Sequence, residues 1–157
     1  MIVVSDTTPL NYLVLIDAID ILPKLFGRIA IPASVIVELS HARTPFKVRQ
    51  WVNDLPEWAI VQTVLKVDET ISLGRGEQEA ISLAGVLKAD LMLIDDQKAR
   101  KLAKARGLEA AGTLGVLEAA SKKGLIDLKE AFVRLQATTF QVDHKLLESI
   151  LARQSSG

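Results

Sequence analysis

The chain has 157 residues, 49% of them hydrophobic and 24% charged, which is the length and composition of one folded domain and excludes disordered, collagen-like and coiled-coil classes. Nineteen basic residues balance nineteen acidic ones, so no global positive field draws nucleic acid, and any such site must be local. Cysteine is absent and histidine occurs twice, at His41 and His144, which excludes disulfides, thiolate zinc, a Cys nucleophile and multi-histidine metal centres. Seven aromatics are too few for a broad base-stacking platform.

Met1-Ile2-Val3-Val4 is a short β-branched run that reads as a strand buried on both faces, with Asp6 at its carboxyl end. Thr7-Thr8-Pro9 opens a helix, Thr8 as the expected cap and Pro9 at the first helical position, carrying Leu10, Leu13 and Val14. The Thr7–Ile16 stretch is the longest uncharged run near the start, and its ten residues fall short of the roughly 18 that suggest a membrane span. With no basic residue before Asp6 to mark a signal peptide, the expected location is the cytoplasm.

A second helix is expected over Ile19–Phe26 with Gly27 as its stop, then a strand over Arg28–Pro32 and a helix over Ala33–Ser40 that carries Glu38. Residues 41–45 read as loop, 46–53 as helix and 58–65 as strand. Gly74 and Gly76 bracket the start of a strong amphipathic helix to Lys88, with Glu77 and Glu79 in its first turns. Asp90–Ile94 is a strand closed by Asp95-Asp96, followed by a helix from Gln97 to Arg106 that Gly107 ends. A short strand over 108–111, a Gly112-Thr113 turn and a helix to Lys123 come next, then two amphipathic helices near 128–137 and 143–153; a disordered tail is expected after Arg153.

Strands alternating with helices imply an α/β fold with a parallel sheet and helices on both faces. Polar groups at the carboxyl ends of such strands open onto one crevice. That selects Asp6 and Asp95-Asp96 from the nineteen acids, with Glu38, Glu77 and Glu79 on helices that can face the same edge. Clustered carboxylates repel unless cations neutralise them, and an all-oxygen set suits Mg²⁺ or Mn²⁺. An Asp after a strand is also a common helix cap, and Glu38 can simply face solvent. Glu77 and Glu79 are about 200° apart around a helix, so only one can point into a shared site. Likewise one of Asp95 and Asp96 can ligate while the other caps the following helix.

Asp6-Thr7-Thr8-Pro9-Leu10, Val35-Ile36-Val37-Glu38-Leu39, Gly76-Glu77-Gln78-Glu79-Ala80-Ile81, Leu93-Ile94-Asp95-Asp96 and Gly112-Thr113-Leu114-Gly115-Val116-Leu117, in that order, resemble a PIN-domain protein of the VapC-like subgroup. The resemblance covers about residues 1–125. It implies a three-layer α/β/α sandwich around a parallel sheet of 4–5 short strands, one domain over about 1–153 with extra C-terminal helices. It also implies a divalent-metal-dependent ribonuclease acting on single-stranded RNA, commonly the toxin of a toxin–antitoxin pair.

Carried across, Asp6 matches the first family acid, Glu38 the second and Asp96 the fourth. Glu79 best matches the third, with Glu77 its neighbour, and Thr8 and Thr113 match polar positions near the site. The chain departs from commoner toxins in having Glu at the third position and no basic residue before the fourth acid. Lys98, Arg100, Lys101 and Lys104 crowd the helix after Asp96 and are the candidate RNA contacts, while Arg43, Lys47 and Arg49 follow Glu38. A small antitoxin and a second copy of the chain are the expected protein partners, the last two helices bracing the dimer. The competing reading is a PIN-like scaffold that binds nucleic acid or an antitoxin without cutting.

Overall fold

The computed structural model describes residues 1–156, with side chains as far as Gln154. Five strands form one sheet: β1 (Val3–Ser5), β2 (Ile29–Pro32), β3 (Ala59–Gln62), β4 (Leu91–Leu93) and β5 (Ala110–Ala111). All neighbours are parallel and the order is β3-β2-β1-β4-β5, so the first strand is central. Its buried Val-Val-Ser run needs apolar neighbours on both faces, which only the middle of a covered sheet offers.

Alternation along each strand sorts the core into two layers. Val3, Ile29, Ile31 and Leu93 face the larger cluster, formed with α1 (Thr7–Leu15), α2 (Ile21–Phe26), α3 (Ala33–Leu39), α4 (Phe46–Asn53), α7 (Thr113–Lys122), α8 (Leu128–Gln136) and α9 (His144–Ser156). Val4, Ala30, Met92 and Ile94 face the smaller one, formed with α5 (Arg75–Leu87) and α6 (Gln97–Ala105). The result is the expected three-layer sandwich.

Several boundaries shift by a residue or two from the sequence expectation, and three of the differences have a physical reading. The edge strand β3 stops at Gln62 rather than Leu65, because its partner β2 ends at Pro32, paired with Gln62, and nothing beyond remains to pair with. Helix α1 begins at Thr7, so Thr8 is helical and Asp6 holds the cap position instead. Helix α9 runs on to Ser156 through the segment expected as a tail, and Gly157 lies outside the described residues.

The last two helices close the chain's own core. Leu128, Ala131, Phe132, Leu135, Leu147 and Ile150 are buried in the larger cluster, whereas Leu146 on the same two helices stays 46% exposed. No helix among the described residues is long and apolar enough to cross a membrane.

Candidate active site

Parallel pairing brings the acids to one edge. Ser5 pairs with Leu93, and the Asp6 N–H donates to the Leu93 carbonyl at 2.9 Å, so Asp6 and Asp95 leave adjacent strands side by side. Val4 pairs with Ala30, which places the end of β2 and the start of α3 on the other flank of Asp6. Helix α5 packs across β1 and presents its first turn to the same edge.

A cleft of about 350 Å³ results, lined by Asp6, Thr7, Thr8, Glu38, Gly74, Arg75, Gly76 and Glu77. Asp6 is 6% exposed. It sits where a helix cap belongs, yet its carboxylate makes no capping hydrogen bond. Burial is the largest influence on it, and the negative charges of Glu77, Glu38 and Asp95 add to it, so its pKa rises from 3.8 to about 7 although a Thr7 backbone hydrogen bond opposes the shift. Glu38 is oriented by the Thr7 hydroxyl, which donates to its Oε2 at 2.7 Å. Burial and then the charge of Asp96 raise Glu77 as well, with the Gly74 backbone partly offsetting them.

The adjacent pair Asp95-Asp96 divides its tasks. Asp96 is the N-cap of α6, its Oδ2 accepting from the Ala99 N–H at 2.8 Å. Asp95 accepts from the Thr113 N–H at 2.8 Å and the Thr113 hydroxyl at 2.6 Å, and burial raises its pKa. Thr113 is completely buried, so its hydroxyl serves to hold Asp95. Of the polar positions expected beside the acids, Thr113 is thus bonded to one, whereas Thr8 lines the cleft and the bond to Glu38 comes from Thr7.

The structure places the two neighbouring glutamates differently. Glu79 pairs with the cleft-lining Arg75 at 3.2 Å along α5, while Glu77 itself lines the cleft with Asp6. Gly74 caps α5, and Glu77 three residues on has capping-box spacing, which turns its carboxylate back toward the helix start. A Cβ at Gly76 would stand 3.3 Å from Glu38 Oε2, so glycine there lets Glu38 approach. The Gly-Arg-Gly-Glu pattern was the signal for Glu77. Mn²⁺ titration checks the difference: Glu77→Gln is expected to weaken binding about tenfold or more, Glu79→Gln less than about twofold, and the reverse order would point to Glu79 instead.

The donor set is entirely oxygen, and none of Asp6, Glu38, Glu77, Asp95 and Asp96 takes part in an ion pair among the described residues. A hard divalent cation fits that chemistry. Among the described residues no three acidic or histidine groups form a ready coordination shell, so the fit rests on donor type and unpaired negative charge.

A family model, DUF3368, described as a PIN domain, matches residues 2–156. The chain belongs to the PIN-domain family. A solved PilT N-terminus domain protein from the hyperthermophilic archaeon Sulfolobus solfataricus P2 has the same fold: TM-score 0.54 and 18% identity, with 76% of this chain and 93% of that chain covered. No curated protein matches significantly. The PIN domain is in general a nuclease-type fold, in keeping with acids gathered at the strand ends.

Around the acids of this PIN domain the cations are unevenly placed. Arg75 lines the cleft, and Lys98 opposes part of the rise at Glu77. Arg100 lies beside Asp95, partly offsetting its rise, whereas Lys101 borders a separate depression near Ile71 and Lys104 is exposed in the last turn of α6. Arg100 and Asp95 both approach Gly112, where a Cβ would come within 2.5 Å of Arg100 Nη1 and 2.6 Å of Asp95 Oδ1. Gly112→Ala is therefore expected to cost about 1–3 kcal/mol, read as a fall in the urea midpoint. A wild-type midpoint would mean that Arg100 and Asp95 yield freely. The two histidines play no part in the cleft: His41 accepts from the Arg43 N–H, and His144 faces Glu148 along α9.

Proposed function

We propose that this PIN domain is a divalent-metal-dependent endoribonuclease that hydrolyses phosphodiester bonds of single-stranded RNA. The observation that carries the reading is Asp6: a carboxylate buried at a strand end, free of capping duty and surrounded by three further carboxylates. An unpaired buried acid is costly to keep, and Mg²⁺ or Mn²⁺ offsets that cost. Bound there, the ion supplies charge neutralisation at the phosphate and a more acidic water for attack.

The protein's own groups then have separable tasks. Asp6, Glu38 and Glu77 would hold the ion, and Thr7 keeps Glu38 turned toward the cleft. Thr113 fixes Asp95 at the opposite side, where it completes the negative rim. Arg75, Lys98 and Arg100 supply the positive charge that draws the RNA backbone to an otherwise acidic edge. With no Cys in the chain, no thiol nucleophile enters.

The resemblance to VapC-like proteins supports the finer reading that the chain is a cytoplasmic toxin, acting as a homodimer until a small antitoxin protein silences it. Expressing the wild-type chain is then expected to arrest growth, and Asp6→Asn to relieve the arrest.

The direct test of the chemistry is thermal unfolding with Mn²⁺ beside cleavage of a fluorescent single-stranded RNA. At an ion concentration about 100 times Kd, Tm is expected to rise by the equivalent of about 2.7 kcal/mol, and EDTA to abolish both the rise and the cleavage. A protein whose Tm ignores Mn²⁺ and that cuts nothing is the non-catalytic scaffold.

A further inference from the structure

Beside the acid cleft lies a larger cavity of about 500 Å³, which shares Asp95 and Arg100 with the site described above but whose remaining lining has no task there. Thr8 lines both, so the two are neighbours across that side chain. The far wall is the segment between α8 and α9, which the alternation of strands and helices passes over as a connection. It is anchored to α1: the Tyr12 hydroxyl bonds with Thr139 at 2.8 Å, and the Tyr12 ring meets Phe140 edge-on at 5.0 Å and 78°. Phe140 and Val142 also pack on the larger core, so this wall is fixed. Gly112 and Gly115 at the start of α7 leave the floor open.

The volume is within the range of small-ligand sites, about 300–1,000 Å³, and accommodates one nucleoside. Charge decides which part of a nucleotide belongs there. The lining holds three carboxylates, Asp95, Asp96 and Asp143, against the one guanidinium of Arg100, so a phosphate is disfavoured there while a neutral base is not. Carboxylates accept from the exocyclic amino groups of bases, the Gln141 amide can donate or accept, and Tyr12, Phe140 and the Arg100 plane offer surfaces for a ring.

We propose that this cavity is a base-recognition subsite, taking the unpaired nucleobase next to the phosphate held in the acid cleft, with amino-bearing bases preferred to uracil. The proposal rests on the nuclease reading, and its test is separable from that reading. Nucleosides carry no phosphate, so cytidine and uridine probe the cavity without the cleft. In a titration of the full chain followed by amide NMR, cytidine is expected to shift Leu114, Gly115 and Gln141 to Asp143, binding about fivefold more tightly than uridine.

Gly115→Leu is expected to abolish those shifts by filling the space. A Cβ there meets only Ala111 Cβ, at an ordinary 3.6 Å, so the helix accepts it. Should that variant misfold, Gln141→Ala changes an exposed side chain and is expected to weaken cytidine about threefold. Equal response to both nucleosides, no response to either, or a response untouched by the substitutions overturns the proposal. RNA cleavage without nucleoside binding removes the subsite alone, whereas nucleoside binding without cleavage removes the nuclease reading.

Discussion

Asp6→Asn is expected to reduce metal-dependent RNA cleavage by about three orders of magnitude or more while leaving the metal-free protein more stable than wild type at neutral pH. Both effects come from one feature. The carboxylate is 6% exposed and faces Glu38, Glu77 and Asp95, so its negative charge is unfavourable in the folded chain until a cation offsets it. The amide has similar size without the charge. Asp6→Asn is therefore expected to unfold at a higher urea concentration in EDTA at pH 7.5 and to lose the rise in Tm on adding Mn²⁺. Wild-type cleavage by an identically purified Asp6→Asn protein would falsify the site assignment, since the activity would then come from a contaminant.

Between pH 4 and 7 the metal-free protein is expected to lose stability as pH rises. Asp6 titrates near 3.8 when unfolded and at about 7 when folded, so across that interval the folded state holds more protons. Stability from this group is complete below the unfolded value and is lost as pH climbs to the folded one. At about 1.4 kcal/mol per unit, the loss is on the order of a few kcal/mol. Glu77 and Asp95, also raised by burial, act with the same sign. Asp68, held down to about 2 by hydrogen bonds from Thr70 and Arg106, acts oppositely and only in more acid solution. Urea unfolding in EDTA at pH 4.5 and 7.5 measures the difference, and equal midpoints would show that Asp6 is not strained by its neighbours. Mn²⁺ affinity is expected to rise over the same interval, because the ion competes with the proton for Asp6.

The central strand, the parallel sheet and the edge on which Asp6 and Asp95-Asp96 open were readable from β-branched runs that end in acids. Where one of two neighbouring acids had to be chosen, periodicity alone was insufficient. Glu77 and Glu79 both fit the α5 pattern, and only the fold puts Glu77 along the cleft, where the missing Cβ of Gly76 admits Glu38. The division between Asp95 and Asp96 depends on Thr113, eighteen residues beyond Asp95 and brought back by β5 pairing to β4. The last two helices pose a related question: an amphipathic face shows that something is buried, and only the fold shows that α8 and α9 pack on α7 of their own chain.

The strand order carries a consequence for how the protein comes into being. One edge of β1 pairs early with β2, but the other waits for β4, some ninety residues later, with Val3 beside Leu91. Closing so long a loop before the pairing repays it makes folding slow. While that edge waits, a growing or truncated chain exposes the apolar strand Val3–Ser5, a template for aggregation. Because β1 and β4 must pair before Asp6 and Asp95 come side by side, a nascent chain has no assembled acid edge until its fourth strand has left the ribosome.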